Sequence, residues 1–181
     1  MKTKAKQRTL ITIMLLLLAI SLLGCSREVE KHPPQESLLV WDQIADDWGA
    51  PSNYRYRGKE PRLVAVTDQA SVSSLQGQLR PDHLEMVAKV DFSAYFVLVV
   101  YQGEKYTTGY SVKVTDIKRD MDTVLVYASF QRPSPGEVKG EIMTSPYCIV
   151  KVKKTEEFKG SFTFVLVANG EEVARQTYVV P

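Results

Sequence analysis

Cysteine and histidine, the side chains most often used for nucleophilic and metal chemistry, occur only twice each in this chain of 181 residues. His32 and His83 have no recognisable catalytic neighbours, and both are expected at the surface. The sequence also lacks a glycine-rich phosphate loop, the ligand spacing of a zinc site and a nucleophile elbow. It therefore predicts no catalytic residue, no metal ligand and no cofactor, and an enzyme, which would be a hydrolase, ranks last among the candidate functions.

Long hydrophobic runs are equally scarce, and the single one lies near the start of the chain. It extends from Leu10 to Leu23, 14 residues, whereas a helix needs about 20 residues to cross a bilayer. Four basic residues precede the run, and Leu22-Leu23-Gly24-Cys25 ends it. A basic region followed by a short apolar region and a cleavage site is typical of an export signal. An uncleaved transmembrane anchor is the alternative, which the length disfavours.

A cysteine at the end of such a signal resembles the bacterial lipoprotein processing site. The resemblance implies cleavage between Gly24 and Cys25 and a lipid on the Cys25 sulfur, so that residues 1–24 are a signal peptide. Several acyl chains on one cysteine hold a protein stably to a membrane. The expected location is therefore membrane-anchored and extracytoplasmic, on the outer face of the cytoplasmic membrane or in the outer membrane if the cell has one. Residues 25–37 are polar and predict a flexible tether.

Without the predicted signal peptide, the chain also has no large excess of positive or negative charge. The signal holds four of the 23 basic residues and none of the 21 acidic ones, which leaves 19 basic residues and a formal charge of about −2. Nucleic acid binding calls for a clustered basic surface. The remaining sequence shows no such cluster, so no nucleic acid partner is expected.

The second cysteine, Cys148, has no partner for an intramolecular disulfide if Cys25 carries lipid. It occupies the inward phase of an alternating strand pattern and is predicted to be a buried, unreactive thiol. Two acidic clusters, Asp46-Asp47 and Asp120-Met121-Asp122, lack the ligand spacing of a calcium loop. The second cluster fits a hairpin turn, where aspartate is favoured for backbone reasons.

After the tether, the chain predicts one domain, residues 38–181, of α+β class and mostly β. Apolar residues at both odd and even positions predict a central strand over 92–101, covered on both faces. Six more strands are predicted over 62–67, 110–115, 123–130, 148–153, 162–167 and 173–180, with Asn169-Gly170 as a hairpin turn. Short helices are predicted over 68–79 and 81–90, and 38–48 fits either a strand or an amphipathic helix. The expectation is an antiparallel sheet or sandwich of six to eight strands with one or two short helices.

Several spaced sequence pieces in the second half of the chain occur in a recognisable order. They are Gln102-Gly103, Gly109-Tyr110-Ser111, Pro133 to Gly136 and Ser145-Pro146-Tyr147, followed by Ile149-Val150-Lys151. Together they resemble the C-terminal domain of the PrcB family of protease complex subunits, over about residues 90–153. The resemblance implies a β-rich extracytoplasmic domain, frequently on a lipoprotein, that serves as a noncatalytic partner of a surface protease.

Aromatic residues on stiff loops provide contact area at little ordering cost, so these loops are predicted to bind a partner. The predicted contact residues are Tyr106, Thr107, Thr108, Gly109, Tyr110, Arg132, Pro133, Pro135, Pro146 and Tyr147. A purely structural explanation stands beside this prediction, because glycines supply unusual backbone angles and prolines fix turns.

The predicted function is therefore a lipid-anchored, noncatalytic binding protein of the cell envelope. Its partner would be an extracytoplasmic protease or another envelope protein, for which it acts as an accessory or assembly subunit. An envelope lipoprotein that binds glycan or a small ligand is the main alternative. A protease inhibitor-like module is another, because residues 106–110 look like the Thr-Thr-Gly-Tyr loop of chagasin-type cysteine protease inhibitors.

Overall fold

Two β-sheets account for most of the computed structural model, which describes residues 36–48, 54–136 and 139–181. The predictions for Gly24, Cys25 and His32 lie outside the described residues, as does most of the predicted tether. Nine strands are described: β1 (Ser37–Leu38), β2 (Trp41–Asp47), β3 (Arg62–Val66), β4 (Tyr95–Tyr101), β5 (Ser111–Asp120), β6 (Thr123–Gln131), β7 (Tyr147–Lys153), β8 (Gly160–Ala168) and β9 (Glu171–Val180).

The strands form an open sandwich of the mostly β class that the sequence predicts. One sheet has five strands in the order β1-β5-β6-β8-β9, and the other has four in the order β2-β7-β4-β3. The segment that fits either a strand or a helix, 38–48, is extended and contributes β2, and together with the short β1 it raises the seven strands predicted individually to nine. All described pairs are antiparallel except β6 and β8. These two run parallel because the chain crosses to the other sheet as β7 before it returns.

Strand β4 is central in the four-stranded sheet and buried on both faces, as its continuous apolar sequence predicts. Phe96, Leu98 and Val100 face the five-stranded sheet and pack in an inter-sheet core. Val97, Val99 and Tyr101 face the other way and pack in an outer core beneath the helices. Because successive side chains of a strand point to opposite faces, one strand serves both cores.

The hairpin between β8 and β9 has the two-residue turn that Asn169-Gly170 predicts. Asn169 has φ 52° and Gly170 has φ 90°, the two positive values that this tight turn requires. The Asn169 side chain also binds the next strand, since its Oδ1 accepts from the Phe130 amide and its Nδ2 donates to the Phe130 carbonyl, both at 3.0 Å. The turn therefore fixes the end of β6 as well as its own hairpin.

Two short helices cover the outer face of the four-stranded sheet. The helix predicted over 68–79 is shorter than predicted, a 3₁₀ helix over Ala70–Leu75, because serines favour local hydrogen bonds and Gly77, at φ 75°, turns the chain. Helix α1 spans Pro81–Ala88, with Pro81 in the first turn as predicted. Val72, Leu75 and Leu79 are buried in the outer core together with Val87. Neither helix has the length and apolarity that spanning a bilayer requires.

The start of the described chain is attached to the sandwich. Glu36 pairs with Lys118 at 3.0 Å, and Ser37 and Leu38 pair with Arg119 and Lys118. The described residues belong to one compact unit, Pro34–Pro181.

Candidate functional site

The strand registers bring several loops to one end of the sandwich. In the four-stranded sheet, Arg62, Tyr101 and Tyr147 are paired neighbours, and Asp47 pairs with Tyr147. In the five-stranded sheet, Ser111 pairs with Gln131 at the corresponding ends of β5 and β6. The chain crosses between the sheets four times, and two of these crossings, through 102–110 and 132–146, lie here. We call Trp48 and residues 54–61, 102–110, 132–136, 139–146 and 169–170 the loop end.

Hydrogen bonds tie the two crossings to each other. Lys105 and Thr144 exchange both backbone bonds at 2.8 Å, and the Thr144 hydroxyl donates to the Thr107 carbonyl at 3.0 Å. The Thr108 amide donates to the Gly140 carbonyl, and the Gly140 amide donates to the Thr108 hydroxyl at 3.1 Å. Five bonds over so short a stretch hold the first crossing as a stiff loop.

The segment before β3 packs closely against the first crossing. Gly103 has φ 86°, and a Cβ placed on it would lie 2.2 Å from the Lys59 carbonyl oxygen, so only glycine fits. The Glu104 amide donates to the Gly58 carbonyl at 2.8 Å, and Arg55 pairs with the Glu104 carboxylate at 3.1 Å. These contacts bring residues far apart in the chain to one surface.

Large apolar side chains are exposed at the loop end. Tyr106 is the most exposed of them, at 69%, and it stands near the tip of the tied loop. Trp48, Tyr54 and Ile142 are also exposed and come from three other segments of the loop end. An exposed aromatic on a rigid loop is typical of protein-binding surfaces.

The structure separates the predicted contact residues into two groups. Thr107, Thr108, Tyr110 and Pro133 are partly exposed, while Gly109, Arg132 and Pro135 are exposed, so all of these are accessible together with Tyr106. Pro146 and Tyr147 are buried, and for these two the predicted placement on an exposed edge is wrong. Tyr147 is the first residue of β7 and pairs on both sides, with Tyr101 and with Asp47, so its ring enters the outer core.

His83 is buried, contrary to the predicted surface position. Its Nδ1 lies 2.8 Å from the Tyr147 hydroxyl, and the two rings meet edge to face. Tyr101 stacks against Tyr147 in the same cluster, and its own hydroxyl has no hydrogen-bond partner among the described residues. Burial raises the pKa of both tyrosine hydroxyls, so both stay neutral. The amphipathic spacing of α1 could have revealed the inward position of His83.

Cys148 is fully buried, as predicted, and burial raises the pKa of its thiol. It faces the inter-sheet core, whereas its neighbour Tyr147, which holds His83, faces the outer core. Cys148 and His83 therefore lie on opposite faces of one sheet and cannot form a catalytic pair. In the described ranges, no group of three or more His, Cys, Asp or Glu side chains could hold a metal ion.

A pocket of about 590 Å³ opens between the ends of the two sheets. Its lining includes two of the predicted contact residues, Tyr110 and Arg132. It also includes Lys105, Gln102 and Phe130, which are not among the predicted contact residues. Lys105 is partly buried, and its pKa is lowered, first by burial and then by the nearby Arg132. The pocket can therefore offer positive charge beside aromatic surface.

A comparison with known protein families finds a match for the part of the chain that contains these two crossings. Residues 96–153 match the family described as PrcB C-terminal. This match covers about a third of the chain, so it shows that the segment is similar to that family. No curated protein and no solved structure matches the chain.

The PrcB C-terminal segment comprises almost all of β4, all of β5, β6 and β7, and the two crossings at the loop end. It supplies Tyr106, Tyr110, Arg132 and Ile142 to the loop end. Trp48, Tyr54 and the Lys59 loop come from outside the match. The similarity of this segment to the PrcB C-terminal family suggests a subunit associated with a protease complex.

Sequence reasoning missed the contributions from outside the PrcB segment and one from within it, Ile142. Trp48 and Tyr54 lie in a stretch without clear periodicity, and only the pairing of β2 with β7 brings Trp48 to this end. Ile142 follows a proline-rich stretch and carries no local signal of its own. Long-range pairing, rather than a motif, assembles these side chains.

Proposed function

We propose that this protein is a lipid-anchored, noncatalytic subunit that binds an extracytoplasmic protease through its loop end. The observation that carries the proposal is that the PrcB C-terminal segment itself supplies both crossings. The family suggests a protease complex, and the crossings present exposed Tyr106 on a loop that five hydrogen bonds hold. A stiff aromatic loop loses little entropy on binding, which favours a docking role.

The noncatalytic part of the proposal is supported by where the reactive side chains lie. Cys148 is buried in the inter-sheet core, and His83 is bound to Tyr147 on the other side of the sheet. Neither side chain is exposed at the loop end. The accessible predicted residues there are tyrosines, threonines, prolines, a glycine and an arginine, which suit contact more than chemistry.

The anchor is proposed from the sequence around Gly24 and Cys25. In this proposal residues 1–24 are removed, residues 25–37 form the tether, and residues 38–181 form the domain held on the outer side of a membrane. A tether confines both partners to a small volume, so it raises the effective concentration of the protease near the membrane. A modest affinity of the loop end would then suffice.

Replacing Cys25 tests the anchor alone. Cys25→Ala is expected to abolish incorporation of labelled fatty acid and to leave an unprocessed precursor, because lipidation needs the cysteine sulfur. Cys148→Ala is the matched control and should keep the label, since that thiol is buried. Equal labelling of the Cys25→Ala variant would refute the anchor and leave the binding proposal standing.

Mild crosslinking in the native membranes tests the binding role. The tagged full chain is recovered, and the proteins joined to it are identified by mass spectrometry. Recovery of a secreted protease in near-stoichiometric amount supports the proposal, and recovery of the tagged chain alone contradicts it.

A second candidate function, binding of a small ligand or glycan, is favoured by one observation. The pocket of about 590 Å³ has the size of small-molecule sites and includes aromatic residues in its lining. Recovery of the tagged chain alone, with a small molecule retained after purification, would favour this function over the first.

A further inference from the structure

Three basic side chains, Lys59, Lys105 and Arg132, line the pocket at the loop end together with two acidic ones, Glu60 and Glu171. Lys105 and Arg132 both line it, and neither takes part in an ion pair there. Glu60 attracts Lys105, but neither Glu60 nor Glu171 forms an ion pair with Lys105 or Arg132 in the described part of the chain, and the basic side chains outnumber the acidic ones by one. Two adjacent like charges repel each other, so a bound anion would relieve that repulsion.

Apolar surface lies directly beside this positive charge. The Lys105 ammonium is 5.8 Å from the centre of the Tyr110 ring. Phe130 and Val173 line the same pocket from the five-stranded sheet. A ligand that fits both features carries its negative charge next to an apolar or aromatic group.

Gln102 adds a buried polar atom to the same lining. Its side chain is 3% exposed, and its Nε2 donates to the Gln131 carbonyl at 3.2 Å. That bond fixes the amide group, and Oε1 is left with no donor among the described residues. This oxygen has less than 1 Å² of accessible surface, so Gln102 forms part of the pocket wall without presenting the oxygen to the opening.

We propose that this pocket binds a carboxylate that lies next to an apolar or aromatic side chain, such as a peptide presents. Arg132 and Lys105 contact the carboxylate, since a guanidinium matches its two oxygens. Tyr110 and Phe130 contact the apolar group. In the proposed function, this peptide would belong to the protease partner. That assignment rests on the proposed function, whereas carboxylate binding by the pocket does not.

Ligand-observed NMR with small probes tests the pocket without the protease. The full chain in detergent is titrated with N-acetyl-L-phenylalanine and, separately, with N-acetyl-L-phenylalaninamide, which keeps the ring and the N–H but has no charge. We expect the acid to bind at least about 10-fold more tightly than the amide, the usual effect of a charge-assisted hydrogen bond. Equal binding of the two probes, or no binding of the acid, would overturn the proposal.

Two matched arginine variants test whether Arg132 contacts the carboxylate. Arg132→Gln should weaken binding of the acid at least about 10-fold. Arg57→Gln removes the same charge from an exposed loop-end position outside the pocket lining and should leave binding unchanged. Neither arginine makes an ion pair with a described residue, so both variants should fold. Equal losses in the two variants would show a general charge effect and reject the site.

Two peptides then distinguish the sources of the carboxylate. Acetyl-Ala-Ala-Phe with a free C-terminus tests a chain end, and acetyl-Ala-Glu-Phe-Ala-amide tests an internal acidic side chain. Binding of either supports the pocket and names its source, and binding of neither rejects it. A protease recovered by crosslinking with no carboxylate binding would refute this inference alone, while carboxylate binding with no protease recovered would refute the proposed function.

Discussion

The inter-sheet core and the loop end are built by the same strands but follow different rules. The core is closed and apolar, with Phe96 between Phe158 and Phe164 at ring distances of 5.3 and 5.7 Å. The loop end is tied by hydrogen bonds and leaves Tyr106 and Trp48 exposed. Burial of apolar side chains therefore stabilises the fold, while hydrogen bonds hold the candidate binding surface in shape. Changes in the two regions should therefore have separable effects on stability and on binding.

The largest loss of stability is expected in the core. Phe96→Ala should lower the free energy of unfolding by about 3–5 kcal/mol, because it removes a fully buried ring and leaves a cavity. Urea unfolding followed by circular dichroism measures the change. Phe92→Ala, at a partly exposed position, should cost clearly less. Equal losses of unfolding free energy in the two variants would contradict the claim that the closed core contributes more to stability than partly exposed positions do.

A smaller loss is expected where two loops touch. Gly103→Ala should cost about 2 kcal/mol, since it adds strain at φ 86° and forces the new Cβ against the Lys59 carbonyl. Gly136→Ala is the matched control, because it has φ 80° but no atom within 4 Å, and it should cost about 1 kcal/mol. Thermal unfolding of both variants measures the difference. A larger loss in Gly136→Ala would show that the close approach at Gly103 does not hold the loops.

Removing the hydroxyl group from each of two buried tyrosines should change the free energy of unfolding by smaller amounts, and in different directions. Tyr147→Phe should cost about 1 kcal/mol, because the bond to His83 Nδ1 is lost. Tyr101→Phe removes a buried hydroxyl without a partner in the described chain, so it should be neutral or stabilising. Urea unfolding at neutral pH compares the two. The same sign and size in both variants would mean that the hydrogen bond to His83 does not contribute.

The sequence predicted those parts of the fold that local patterns determine. The strand predicted over 92–101 and the Asn169-Gly170 turn are confirmed, except that β4 begins at Tyr95 and residues 92–94 form a turn before it. The burial of His83 and Tyr147 was not predicted, since it depends on how α1 packs over β7. The PrcB resemblance located both crossings of the loop end. It could not reveal Trp48, Tyr54 and Lys59, which long-range pairing brings there from outside the matched segment.

We propose that Tyr106, the most exposed aromatic side chain of the loop end, binds the protease and contributes nothing to stability. The most direct test compares crosslinked recovery of a protease by the full chain, by Tyr106→Ala and by Met121→Ala. Met121 is similarly exposed, at 72%, and lies in the turn at the opposite end of β5. We expect Tyr106→Ala to lower recovery about 10-fold or more with the free energy of unfolding changed by less than about 0.5 kcal/mol. Met121→Ala should change neither quantity, and equal recovery by both variants would contradict the claim.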